Sequence, residues 1–269
     1  MTHNYAEVIG DPINHSKSPL IHNFWLSKLS IAAEYRKTCV VCDDLAAFVA
    51  ARRLDPLWRG CNVTIPHKIA VIDLVDDPGD VRSSIGAMNT ILSTPEGLIG
   101  TNTDAAGFYA PLADTDLVGT DVVLIGTGGA AHAILFALSR CRVGSMTIMA
   151  RQPLKAAALL SRFGLKGTVV PISERVPAAQ LVINSSPLGM TGYPSPNWDL
   201  SRLNESSLVY DIVYTPLETP LILAAEQCGL GTIDGLEMLV GQAATAFELF
   251  FGQPAPHAFD DELRAELLA

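Results

Sequence analysis

Three short stretches in the first half of the chain place small polar side chains where strands should end and helices begin. Asn14-His15-Ser16-Lys17-Ser18-Pro19 offers two hydroxyls one residue apart, and such a pair can hold a carboxylate as neutral donors. Ser18 ahead of Pro19 also reads as the N-cap of a helix with proline at its first position. In Asn62-Val63-Thr64-Ile65-Pro66-His67-Lys68, alternation along a strand end puts Asn62 and Thr64 on one side. The third stretch is Gly100-Thr101-Asn102-Thr103-Asp104, with Asn89 upstream. Lys68 reads equally as a solvated residue at a helix start, and Asp104 as the N-cap of a helix from Ala105. Spacing alone does not bring Lys68 and Asp104 together.

A different chemistry is written at Gly126-Thr127-Gly128-Gly129-Ala130-Ala131, which follows the apolar run Val122-Val123-Leu124-Ile125 and opens a helix. Strand, turn and helix together match a dinucleotide fingerprint with alanine at the third glycine position. The glycines let the backbone approach a pyrophosphate, whose charge is met by the amides of the helix N-terminus. The next strand ends at Met149-Ala150 and leads into Arg151-Gln152-Pro153-Leu154-Lys155. An NAD enzyme usually carries an acid there for the ribose 2′-hydroxyl. This chain offers the planar fork of Arg151, suited to a 2′-phosphate, and Lys155 one helical turn later. Cations oppose the helix dipole at a helix start, so a plain solvated basic face explains them less well. The balance favours NADP.

The elements that position these groups alternate almost throughout between short apolar strands and amphipathic helices, the pattern of an α/β protein with parallel sheets. Strands are expected at Tyr5–Gly10, Glu34–Val41, Trp58–Thr64 and Met88–Leu92. In the second half they are expected at Val122–Ile125, Met146–Met149, Leu181–Asn184 and Leu208–Ile212. Helices are expected from about Pro19, over Leu45–Leu54, after the glycine turn, and over Gly235–Phe251, ending at Gly252 ahead of Pro254.

With 269 residues, 49% of them hydrophobic and 17% charged, the chain suits two domains of ordinary size. A net charge of −10 argues against nucleic acid as a partner, while a local donor cluster can still bind a small anion. No apolar run approaches a membrane span. The N-terminal Met1-Thr2-His3-Asn4-Tyr5-Ala6-Glu7 shows no cationic region followed by an apolar stretch, so no signal peptide is expected and the cytoplasm is the default. Cys39 and Cys42 form a lone CxxC in what reads as a strand, with no second pair to complete a zinc site, and all five cysteines are read as reduced. His15, His22, His67 and His132 lack ligand spacing, so no metal is assigned.

The polar stretches, taken with the rest of the chain, resemble the shikimate dehydrogenase family. The resemblance is carried by Val8-Ile9-Gly10-Asp11-Pro12 through His15–Pro19, by Asn62–Lys68, by Gly86-Ala87-Met88-Asn89-Thr90 and by Asn102–Gly107. It continues through the glycine turn, Asn184-Ser185-Ser186-Pro187-Leu188-Gly189-Met190, Tyr210-Asp211-Ile212-Val213-Tyr214 and Asp234-Gly235-Leu236 to Gln242. It implies a two-domain α/β fold. Residues 1–105 with 236–269 would form a substrate domain on a mostly parallel sheet, and 106–235 a Rossmann-type NADP domain. The C-terminal helix would return to the first domain. It implies reversible NADP-dependent reduction of 3-dehydroshikimate to shikimate, a step of chorismate and aromatic amino-acid biosynthesis, by a monomer or homodimer.

The same resemblance implies residue roles. Ser16, Ser18 and Tyr214 would contact the substrate carboxylate. Asn62, Thr64, Asn89, Asp104 and Gln242 would hold the ring hydroxyls, and Lys68 paired with Asp104 would exchange the proton. Gly126, Thr127, Gly128, Gly129 and Ala130 would cradle the cofactor, with Ala150, Arg151, Gln152 and Lys155 at its 2′-phosphate. Ile212 and Gly235 would lie near its nicotinamide end, and Asp80 would be a weaker contact. The family often reads Asn-Arg-Thr where this chain has Ala150-Arg151-Gln152, so two polar contacts are altered. Relatives acting on quinate or aminoshikimate are alternatives. A non-catalytic NADP sensor has no need of Lys68 and Asp104 together. A folate-type enzyme has none for the serine pair and Gln242.

Overall fold

The computed structural model describes residues 3–269; Met1 and Thr2, the start of the segment read for a leader, lie outside them. The chain divides into two compact units, Met1–Thr103 with Val240–Ala269, and Asp104–Leu239.

The first unit opens with β1 (Asn4–Gly10), α1 (Ser18–Lys28), β2 (Ala33–Cys39), α2 (Leu45–Arg52) and β3 (Trp58–Val63). A short α3 (Val81–Ser84) and the hairpin of β4 (Thr90–Thr94) and β5 (Gly97–Thr101) complete its sheet. The order is β2-β1-β3-β4-β5. β1 pairs parallel with β2 and β3, and the β3–β4 and β4–β5 pairs are antiparallel. β1 lies inside the sheet between β2 and β3, and Tyr5 to Gly10 are accordingly buried without a break. The hydrogen-bonded strand starts at Thr90 rather than at Met88. The Met88 and Asn89 amides instead reach the Lys68 and Thr101 carbonyls at 2.7 and 3.1 Å, which stitches the β3 exit to this loop. β5 lies outside the expected strands: its burial alternates, but Gly97-Leu98-Ile99-Gly100 shows no alternation of apolar and polar side chains. Inside this core the Glu7 carboxylate is fully buried, and it accepts from Arg52 Nε at 2.6 Å and Trp58 Nε1 at 2.8 Å. A buried charge persists only with such partners.

Two local expectations are corrected. Ser18 is not the cap of α1: the helix already includes it, and its amide donates to the Ser16 hydroxyl at 3.3 Å. Lys17 takes the N-cap position without a side-chain bond. β2 ends at Cys39, and Cys42 opens a single 3₁₀ turn, so the two cysteines do not share a strand.

The second unit runs through α4 (Asp104–Tyr109), β6 (Val122–Ile125), α5 (Gly129–Arg140), β7 (Met146–Ala150), α6 (Pro153–Arg162) and β8 (Gly167–Pro171). It continues with β9 (Leu181–Asn184), β10 (Leu208–Asp211), α7 (Pro220–Gln227), β11 (Gly231–Ile233) and the start of α8 (Gly235–Phe251). All pairs in its six-stranded sheet are parallel, in the order β11-β10-β9-β6-β7-β8. Counted from β6 this is the doubly wound 3-2-1-4-5-6 order, whose direction reverses between β6 and β9. The two central strands β6 and β9 are buried over their whole length, as helices on both faces require. The edge strands β8 and β11 are short and half exposed, which is why neither shows in the hydrophobic pattern.

α8 begins in the second unit and ends in the first, where α9 (Asp260–Leu268) follows. Asp260, Asp261 and Glu262 sit at the α9 N-terminus, the favourable end of its dipole. Among the described residues no helix is long and apolar enough to cross a membrane.

Candidate functional site

In the first unit the strand end of β3 and the loop before β4 bring Asn62 and Asn89 into one buried hydrogen-bond chain. The Tyr35 hydroxyl donates to Asn62 Oδ1 at 2.6 Å, and Asn62 Nδ2 donates to Thr90 Oγ1 at 3.1 Å. The Thr90 hydroxyl donates in turn to Asn89 Oδ1 at 3.1 Å. Asn89 Nδ2 donates to Thr103 Oγ1 at 2.9 Å and to Gln242 Oε1, on α8, at 3.4 Å. Asn62, Asn89, Thr90, Thr103 and Gln242 are all buried. Such a chain is costly unless satisfied, and once satisfied it holds its members rigidly. Ser18 is buried at the start of α1, whereas Ser16, Thr64 and Lys68 are half-buried. Tyr35, Thr90 and Thr103 were missed as members. Thr90 and Thr103 stand inside recognisable motifs, while Tyr35 is the lone buried side chain of an otherwise solvated strand and gave no signal.

In the second unit the glycine turn sits where a doubly wound sheet places its ligand, at the carboxyl end of β6 beside the switch. Gly126 has φ +108°, and a Cβ there would come within 3.0 Å of Ser185 Oγ, so glycine is demanded by the turn itself. Gly128 differs. It precedes α5 as a cap with no side-chain bond, and a Cβ on it would meet no atom within 4 Å. The α5 N-terminus therefore has open space over it. Ala150 is buried at the end of β7, and Arg151, Gln152 and Lys155 are exposed. Pro153 opens α6, its first turn holds no acid, and Gln152 makes no capping bond.

Ile212 and Tyr214 are half-buried in the loop after β10. Gly235 packs against that loop so closely that a Cβ would meet the Val213 carbonyl and lie 2.6 Å from that of Ile212. Asp104 is buried as the first residue of α4. Asp80 lies apart from these groups in sequence, in a left-handed turn before α3. The α3 amides of Val81 and Arg82 are capped not by it but by Asp77, at 2.8 Å each.

A buried carboxylate beneath the β10 loop was also missed as a site feature. Asp211 accepts from Asn184 Nδ2 at 2.9 Å, the Val213 amide at 3.0 Å and the Thr219 hydroxyl at 2.6 Å. Asn184 Oδ1 in turn accepts from the Ser186 amide at 3.0 Å, and Ser185 donates to the Ile125 carbonyl beside the glycine turn at 2.8 Å. Burial raises the Asp211 carboxyl to about 6, against the lowering effect of these three donors. Because the folded value lies above the ordinary 3.8, the folded state holds this proton more tightly than the unfolded chain. Its stabilisation is full below pH 4 and is lost as pH rises through 6. The difference is about 3 kcal/mol at 1.36 kcal/mol per unit. Asp211→Asn, which cannot ionise, should gain stability relative to the wild type between pH 4 and 7. Denaturant unfolding at both pH values measures it, and parallel profiles would refute the shift.

His22, His67 and His132 are each buried in separate surroundings, His67 with its Nε2 2.6 Å from the Val40 carbonyl. Among the described residues no three His, Cys, Asp or Glu side chains gather as a metal site.

A doubly wound parallel sheet, a glycine turn at its switch strand and an acid-free, basic start to the next helix define a dinucleotide-dependent oxidoreductase of the α/β class. Models of the shikimate dehydrogenase substrate binding domain and of the shikimate 5′-dehydrogenase C-terminal domain match residues 8–91 and 235–258. A shikimate dehydrogenase (NADP(+)) of Sphingopyxis alaskensis is 60% identical over 100% of both chains. The chain belongs to the shikimate dehydrogenase family. Among solved structures it is similar to the shikimate 5-dehydrogenase of Thermus thermophilus in complex with NADP(H) and shikimate. That pair shows 31% identity and a TM-score of 0.85, over 98% of this chain and 100% of the other. The quinate dehydrogenase of Corynebacterium glutamicum in complex with NAD matches at 28% identity and a TM-score of 0.83, covering 98% and 99%.

Proposed function

We propose that this chain is an NADP-dependent shikimate dehydrogenase that reduces 3-dehydroshikimate to shikimate reversibly. The observation that carries the substrate half is the buried chain of Asn62, Thr90, Asn89 and Gln242. Amides and hydroxyls held in fixed directions suit a polyhydroxylated ring, because a site built to hydrogen-bond hydroxyls rejects analogues that lack them. Residues 1–105 with 236–269 form the substrate domain and 106–235 the NADP domain. Ser16, Ser18 and Tyr214 take the carboxylate. Asn62, Thr64, Asn89, Asp104 and Gln242 hold the hydroxyls, and Lys68 and Asp104 carry the acid–base chemistry.

The second unit fits the cofactor. Open space over Gly128, the uncapped α5 and α6 starts and the exposed Arg151 and Lys155 suit a pyrophosphate and a 2′-phosphate. NADP, when bound, supplies the hydride acceptor or donor. Gly126, Thr127, Gly128, Gly129 and Ala130 hold its pyrophosphate, and Ala150, Arg151, Gln152 and Lys155 surround its 2′-phosphate. Ile212 and Gly235 border its nicotinamide, and Asp80 is a peripheral contact. Five unpaired cysteines, three of them exposed, suit the reducing cytoplasm, where the enzyme works as a monomer or homodimer.

The test is a rate matrix of shikimate and quinate, each with NADP and NAD. Quinate carries an extra hydroxyl on the carboxylate-bearing carbon, beside the positions assigned to Ser16 and Ser18. Left unpaired it costs about 1–3 kcal/mol, so shikimate should be preferred by at least about 5-fold in kcat/KM. Comparable values would move the chain to a dual-specificity enzyme.

A further inference from the structure

The two buried asparagines of the first unit are oriented by different means. Asn89 is pinned by the backbone: the Thr103 amide, which can only donate, points at Asn89 Oδ1 at 2.7 Å. Its Nδ2 must then face Thr103 Oγ1 and Gln242. The Asn62 carboxamide has the Tyr35 hydroxyl on its oxygen at 2.6 Å. With Oδ1 so engaged, Nδ2 turns to Thr90 Oγ1 at 3.1 Å and the Asn89 carbonyl at 3.4 Å.

Tyr35 is itself unusually well fixed for a residue on an edge strand. Its backbone amide and carbonyl are both clamped by the Asn23 side chain, at 2.9 and 2.8 Å. Its ring lies flat on the His22 imidazole, with centroids 3.9 Å apart and planes within 4°. Among the described residues neither nitrogen of His22 has a hydrogen-bond partner, and Trp25 and Phe247 close on the same imidazole at 5.7 and 5.8 Å. Burial lowers that imidazole to about 3, so it stays neutral and acts as a flat wall. A fully buried imidazole without hydrogen bonds is costly. What it does here is hold a phenol ring in one plane.

We propose that Tyr35, backed by His22, is a positioning residue that fixes which end of the Asn62 carboxamide faces the substrate's ring hydroxyls. This rests on the assignment of Asn62 to those hydroxyls made above. Tyr35 need not touch the substrate; it acts by keeping Asn62 Oδ1 occupied from the core side. Without the hydroxyl, a buried oxygen loses its donor and the amide gains a reason to turn.

The experiment is steady-state kinetics of Tyr35→Phe, which keeps the ring stacked on His22 and removes only the hydroxyl. KM for shikimate should rise about 10-fold, while KM for NADP and kcat stay within about 2-fold. Thr90→Val, which removes the acceptor of Asn62 Nδ2 and also the donor to Asn89 Oδ1, should raise the same KM. The double variant should fall short of the product of the two, because their effects overlap at the Asn62 amide. Asn62→Ala serves as the control. If it leaves KM for shikimate unchanged, the assignment of Asn62 to the substrate fails. If it raises KM while Tyr35→Phe and Thr90→Val do not, or lower only the melting temperature, the positioning role is overturned.

Discussion

Lys68→Ala should lower kcat by at least about 10²-fold, the low end of what a positioned acid–base group contributes, with a smaller change in KM for shikimate. The structure makes this a clean substitution. Lys68 lies in the turn after β3, and its carbonyl accepts the Met88 amide at 2.7 Å, a bond the side chain does not make. That backbone bond remains available when the lysine amine is removed. Lys68→Arg separates charge from proton transfer: guanidinium keeps the charge and does not give up its proton, so it should not restore kcat. Near-normal kcat in either variant, with only KM raised, would make Lys68 a binding residue and remove the acid–base assignment.

Strong burial was legible in the sequence; weak burial was not. β6 and β9 are continuous apolar runs because helices cover both faces of their sheet, and Val122–Ile125 and Leu181–Asn184 appear where expected. The edge strands β8 and β11 are half exposed, so their side chains carry no period, and their pairing is set by backbone hydrogen bonds. Ser18 illustrates a competition that local pattern does not resolve. It precedes a proline as a cap should, yet the neighbouring Ser16 hydroxyl takes the orphan amide and Ser18 turns inward.

The candidate site divides the same way. Asn62 and Asn89 could be picked out as polar groups near element ends and Gln242 only through the family resemblance, but the bonds that join them are tertiary. Tyr35 belongs to the chain because a strand remote in sequence delivers its hydroxyl to Asn62. Asp211 stands in a recognisable motif, but only the fold shows it buried under the β10 loop, with Thr219 serving both its carboxylate and the α7 start.

Arg151→Ala should reduce kcat/KM for NADP by about 10- to 100-fold and leave NAD use nearly unchanged. A charge-assisted contact to phosphate contributes about 1.5–3 kcal/mol, at 1.4 kcal/mol per tenfold. The residues around it show why so much should depend on one side chain. Ala150 is buried with no polar group to offer. Gln152, at the N-cap of α6, makes no capping bond, which leaves the amides of that turn to solvent or ligand. Lys155, one turn on, adds charge but not a planar fork, and an exposed ammonium on a flexible stem holds a phosphate loosely. On the proposed assignment the discriminating contact is concentrated in Arg151, where the more usual family pattern would spread it over three residues. Arg151→Lys should recover only part of the loss for the same geometric reason. A wild type that uses NAD as well as NADP would mean that the altered flanks have already removed the selectivity. Arg151→Ala would then change the two cofactors alike.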